Sequence, residues 1–136
     1  LDSNGLNPGV ISGIVKQGLA DYFAIDVKSS PAKYSLATGV NADWKKVRES
    51  IEIIRSSGID YEIRTTCVPG FVTLEDMAGI GEVSGHVKSY YLQQFVNHNP
   101  MIDPALNSVS PYPVEYLEKM QSAASPYSER CVIRGA

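Results

Sequence analysis

The sequence predicts an α/β fold with parallel strands and crossover helices. Two observations carry that expectation. Strand-patterned and helix-patterned segments alternate along the chain as βαβαβαβαβ, and Gly or Pro marks most of the joints. A third observation bounds the architecture. A closed (β/α)8 barrel takes ~250 residues, and this chain has 136. The pattern therefore describes either an open sheet or a piece of a barrel.

The elements follow in order. Leu1-Asp2-Ser3-Asn4-Gly5 reads as the end of a strand entering a turn. A helix follows, with Asn7 as its cap, Pro8 at its first position, Val10, Ile11, Ile14 and Val15 as its apolar stripe, and Gly18 as its stop. Tyr22 to Lys28 is a strand with Phe23, Ile25 and Val27 on one face and Ala24, Asp26 and Lys28 on the other. A loop through Ser29-Ser30-Pro31 to Gly39 leads to a helix on which Trp44, Val47, Ile51 and Ile54 recur, closed by Gly58. Tyr61 to Cys67 is the next strand, with Tyr61, Ile63 and Thr65 opposite Glu62, Arg64 and Thr66; Val68-Pro69-Gly70 breaks it. Thr73 and Asp76 resemble a capping box before a helix carrying Leu74, Met77 and Ile80. Gly79, Gly81 and Gly85 weaken that helix, by ~1 kcal/mol for each that is interior. Tyr90 to Phe95 is a strand, Asn97 to Pro111 a polar loop, Pro113 to Ala124 a helix with Val114, Leu117 and Met120 inward, and Arg130 to Arg134 a last strand.

Composition excludes several classes. With 43% hydrophobic and 20% charged residues the chain is ordinary for a folded globular domain. No apolar run approaches the ~18–20 residues of a membrane span. The first residues have neither the basic start nor the apolar core of a secretion signal. A net charge of −3 and a pI near 5.3 argue against a nucleic-acid surface, and Lys45-Lys46-Val47-Arg48 fits a solvated helix face. Two distant cysteines, Cys67 and Cys131, form no metal-binding motif and suit a reducing cytoplasm.

The chemistry-bearing residues fall at the C-terminal ends of successive strands: Asp2, Ser3 and Asn4; Asp26 and Lys28; Arg64 and Thr66; Gln93 and Gln94. Ligands bind at that edge in parallel α/β folds. The same spacing also suits a structural ion-pair network of Asp26, Lys28, Glu62 and Arg64, and Asp2-Ser3-Asn4-Gly5 alone suits a simple turn.

Three ordered segments, Leu1 to Gly5, Asp21 to Lys28 and Ile63 to Gly70, resemble motifs of radical S-adenosylmethionine (SAM) activating enzymes, which install glycyl radicals in partner enzymes. Tyr91-Leu92-Gln93-Gln94-Phe95, followed by Asn99 and Asp103-Pro104, is closer to the anaerobic ribonucleoside-triphosphate reductase branch than to the pyruvate formate-lyase branch. The resemblance covers almost the whole chain, residues 1–136, as the C-terminal half of a radical SAM domain, part of a (β/α) partial TIM barrel. It implies that Asp2, Ser3 and Asp26 surround a monovalent cation beside the SAM carboxylate. Lys28 and Arg64 would contact SAM, with Asp26, Asn4 and Gln94 in the same cofactor-binding set. A histidine of the pyruvate formate-lyase branch aligns with Val96; His98 is out of register, and His86 reads as a surface residue.

The family's CxxxCxxC loop for a [4Fe–4S] cluster and its Gly-Gly-Glu segment lie upstream of Leu1 by this alignment. The resemblance therefore assigns no catalytic residue and no cluster ligand to this chain. The whole protein is expected to cleave SAM reductively to a 5′-deoxyadenosyl radical, in the cytoplasm, for a glycyl radical enzyme such as anaerobic ribonucleotide reductase. The chain alone is expected to be inactive and poor at binding SAM. The sheet edge beside residue 1 invites pairing, so a dimer through it is expected. Two other readings stand beside this one: a small binding module for an anionic ligand or a protein partner, and a barrel lyase using Lys28 as a Schiff-base amine, a role that adjacent Asp26 disfavours.

Overall fold

Parallel strands taken in chain order, each joined to the next by a right-handed crossover, put their helices on one face of the sheet. The computed structural model describes residues 1–39, 41–96 and 109–135 and shows that arrangement. The five strands are β1 (Asp2–Ser3), β2 (Tyr22–Asp26), β3 (Asp60–Cys67), β4 (Val87–Gln94) and β5 (Ser128–Arg134). They lie side by side in chain order, and every pair is parallel. The helices are α1 (Pro8–Lys16), α2 (Tyr34–Thr38), α3 (Trp44–Ser57), α4 (Asp76–Ser84) and α5 (Val114–Ala124). The expected α/β alternation with a parallel sheet is thus observed. Much of the polar loop after β4, including His98, Asn99, Asp103 and Pro104, lies outside the described residues.

Alternation along each strand divides the sheet into two unlike faces. Phe23, Ile25, Val27, Tyr61, Ile63, Tyr90 and Leu92 point to the helices and join Ile11, Val47, Ile51, Ile54, Met77, Ile80, Leu117 and Met120 in one apolar cluster. Helix α1 packs on α3, α3 on α4, and α4 on α5. The opposite face carries Asp2, Tyr22, Ala24, Asp26, Glu62, Arg64, Thr66, Tyr91, Gln93 and Arg134, none of which belongs to that cluster.

Local signals explain most boundaries. The Asn7 side chain accepts from Val10 N at 3.2 Å to start α1, and Asp43 accepts from Lys45 N at 3.0 Å to start α3. Gly58 ends α3 at φ +78°, a conformation open to glycine at little cost. Four details differ from expectation. Val10 is exposed, because it sits about 100° round α1 from buried Ile11. Val114 is exposed rather than inward, at the first position of α5. The loop after β2 contains a 3-10 turn (Pro31–Lys33) and the short α2, in which only Tyr34 is buried. Helix α4 starts at Asp76 instead of just after Thr73.

Half of the expected capping box is present. The Asp76 carboxylate accepts from both the backbone N and the hydroxyl of Thr73, each at 2.8 Å. It also accepts from Ser30 Oγ at 2.8 Å and Lys33 Nζ at 2.9 Å. Burial opposes ionisation of Asp76, but the bonds from Lys33, Ser30 and Thr73 outweigh it and hold its carboxyl below the usual range. Because the folded value is the lower one, this stabilisation is in place above the unfolded carboxyl pKa of about 3.9 and is lost as pH falls through the folded value. An Asp76→Asn chain is expected to show a shallower loss of stability as pH falls below about 4 in urea titrations. A slope equal to that of the unmutated chain would refute the assignment.

Candidate functional site

The C-terminal ends of β1, β2 and β3 bring four charged side chains together on the face opposite the helices. Register does this: Asp2 lies beside Ala24, and Asp26 beside Arg64. Arg64 is the centre. Its Nη2 is 3.4 Å from Asp2 Oδ2 and its Nε is 3.3 Å from Asp26 Oδ1. The other Asp26 oxygen, Oδ2, lies 3.5 Å from Lys28 Nζ. Burial works against the Arg64 charge, but Asp26, Asp2 and more distant Glu62 outweigh it, so its pKa is raised and the guanidinium is firmly charged. The chain of charges is Asp2, Arg64, Asp26, Lys28. Its outer members remain available to a ligand: the Lys28 side chain is 43% exposed and that of Asp2 75%.

Deeper on the same face is a second cluster that sequence reading missed. Glu62 is not part of the Arg64 chain of bonds. It accepts from the Tyr22 hydroxyl at 2.8 Å and pairs with Arg134 at 3.1 Å. The Arg134 guanidinium lies over the Tyr91 ring, 3.5 Å from its centre. Burial, and then the bond to Glu62, push the Tyr22 phenol up to about 12. Strand parity alone would have placed Tyr22 with Asp26 and Tyr91 with Gln93. Nothing local in the sequence joins Arg134 to Glu62.

The remaining candidates are placed elsewhere. Ser3 pairs in register with Ile25, on the helix side, and its Oγ accepts from Gly5 N at 3.0 Å. Its side chain is thus turned from the face that holds Asp2 and Asp26. Asn4 Oδ1 accepts from Leu6 N at 3.0 Å, a turn-forming bond. Gly5 is buried at φ +69°, and an added Cβ would stand 3.3 Å from both Ile25 and Val47, so the turn is pinned to the core. Gln94 faces the helices too; its amide donates to Tyr112 O at 2.9 Å and accepts from Phe95 N at 3.1 Å. Gln93 is the glutamine that shares the polar face, beside Thr66 and Arg134. His86 is exposed. Lys28 stands half in solvent beside Asp26, an environment unlike the apolar pocket a Schiff-base amine uses.

Neither cysteine suits a cluster. Burial pushes the Cys67 thiol up to about 12, helped slightly by Cys131, and burial pushes Cys131 up to about 11. Cysteine ligates a metal or cluster as the thiolate. Among the described residues no group of three His, Cys, Asp or Glu side chains could hold a metal ion. Both thiols are expected to resist a disulfide reagent at pH 8 in the folded chain and to react fully once unfolded in guanidinium. Rapid reaction of Cys67 in the folded chain would contradict its burial.

No protein-family model matches the chain. It is similar to a Methanocaldococcus jannaschii protein bearing the provisional name glycyl-radical enzyme activating enzyme, with 30% identity over 139 aligned positions. The match covers 98% of this chain and 57% of that protein, so the chain spans little more than half the length of its relative. None of the helices among the described residues is long and apolar enough to cross a membrane.

Proposed function

We propose that this chain is the C-terminal part of a cytoplasmic radical SAM activating enzyme for a glycyl radical enzyme, with Arg64 and Lys28 on its SAM-binding wall. The observation that carries the reading is the Asp2–Arg64–Asp26–Lys28 chain at the C-terminal edge of a parallel sheet, where ligands of such folds bind. The likeness to the archaeal protein supports the reaction class. The strand order, with every helix on one side, supports a partial (β/α) barrel in the whole protein, the polar face lining its interior.

The residues present fit SAM and do not fit the cluster. SAM bears one carboxylate, one ammonium and one sulfonium. Arg64, fixed by two carboxylates, and Lys28, held by one, present cationic donors to a carboxylate. Asp26 and Asp2 present acceptors to an ammonium or to a small cation. Bound beside these residues, SAM would supply one-electron, hydrogen-abstracting chemistry toward a glycine of the partner. This chain's share is to orient the amino-acid end of SAM; residues outside it must ligate the iron. The resemblance of Tyr91 to Phe95 to one branch of that family supports anaerobic ribonucleotide reductase as the partner. The short β1 edge would pair with further strands of the whole protein, or with a second copy when the chain is alone.

The whole protein, reconstituted anaerobically with iron and sulfide and given reductant and SAM, is expected to release 5′-deoxyadenosine. The 136-residue chain treated identically should release none. A whole protein that takes up no iron–sulfur cluster and makes no 5′-deoxyadenosine would sink the proposal.

A further inference from the structure

Lys28 is the second residue beyond β2, and a two-residue extension of a strand does not fix a side chain by itself. Something must hold the segment that follows. The structure shows three fastenings. Lys28 N donates to the hydroxyl of buried Tyr34 at 3.2 Å. Ser29 Oγ donates to Phe71 O. The third is Asp76, 6% exposed, which receives Ser30 Oγ and Lys33 Nζ from the loop after β2 and Thr73 from the loop after β3. Helix α4 reaches this loop through Gly79, where an added Cβ would stand 2.6 Å from Ser30 Cβ.

A capping role alone would need only Thr73. The carboxylate instead spends one oxygen on Ser30 and shares the other with Lys33, both from the loop that begins at Lys28. We propose that Asp76 is a positioning residue: by tying Ser30 and Lys33 to the start of α4, it fixes where Lys28 stands against Asp26 and Arg64. The ligand consequence rests on the SAM reading above; the placement of Lys28 does not.

Two measurements on the whole protein separate these. The first is the rate of Lys28 acylation by an amine-reactive reagent, referred to exposed Lys16. Asp76→Ala is expected to raise that ratio several-fold, and Asp76→Asn, which can still accept from Ser30, to raise it less. Asp76→Asn serves alone if Asp76→Ala does not fold. The second is SAM affinity by equilibrium dialysis, in a double-mutant cycle with Lys28→Gln. Asp76→Ala is expected to weaken SAM binding roughly tenfold when Lys28 is present and to add little in the Lys28→Gln background. An unchanged acylation ratio overturns the positioning role, and so does an Asp76 effect on SAM that is the same in both backgrounds. If the unmutated whole protein binds no SAM, the SAM reading falls, and the acylation ratio alone decides the inference.

Discussion

Replacing Gly81 with alanine is expected to destabilise the chain by roughly 2 kcal/mol, although alanine is the better helix former. In an open helix position the change would gain up to about 1 kcal/mol. At Gly81 the added Cβ would stand 2.4 Å from Cγ and 2.5 Å from Cδ1 of Tyr127. Cγ lies on the axis about which the ring turns, so flipping the ring does not clear it. Tyr127 lies in the 3-10 turn (Ser125–Tyr127) that feeds β5. Relieving the clash means moving α4, moving the start of β5, or swinging Tyr127 out of its packed position. Gly13, in α1, is the matched control: a Cβ there meets nothing within 4 Å. Gly13→Ala is expected to stabilise by up to about 1 kcal/mol. Urea midpoints for the two variants should shift in opposite directions. A stabilised Gly81→Ala chain would mean that α4 and β5 are not held as close as described.

The second large effect concerns ligand binding. On the proposed function, Arg64→Met in the whole protein should weaken SAM binding roughly 10- to 100-fold, the usual span for losing a hydrogen bond to a charged group. Fold stability should change by less than about 1 kcal/mol, because Asp2 and Asp26 can turn to water once their partner is gone. Arg64→Lys should recover only part of the affinity. A single ammonium cannot reproduce the fork that touches Asp2 and Asp26 together. Calorimetric titration with SAM reads the effect directly. Equal affinity in Arg64→Met and the unmutated protein would remove Arg64 from the site.

Elements with strong periodicity were legible in the sequence. Phe23, Ile25 and Val27 alternate cleanly, and Val47, Ile51 and Ile54 recur at helical spacing, so β2 and α3 fall where the pattern puts them. Helix α2 was not legible because five residues with one buried side chain give no period to read. The charged edge was legible as far as strand parity reaches: Asp26, Lys28 and Arg64 could be put on one face, and they are together. Gln93 and Gln94 were both drawn to the strand end, and only the register, Gln93 beside Thr66 and Gln94 beside Cys67, separates the polar face from the helix face. The Glu62–Arg134 pair and the Asp76 hub join residues far apart in the chain. Such contacts leave no local trace, because they depend on which strand lies next to which and how closely the loops approach.

Strand order has one more consequence, for how the chain is made. Order in space follows order of synthesis, so each unit emerging from the ribosome meets the exposed flank of a unit already completed. No strand has to be held open for a later one to insert beside it. The Arg134–Glu62 bond, spanning 72 residues, reaches past β4 from β5 to β3. It closes only when β5 has arrived, which makes it a late marker of completed assembly.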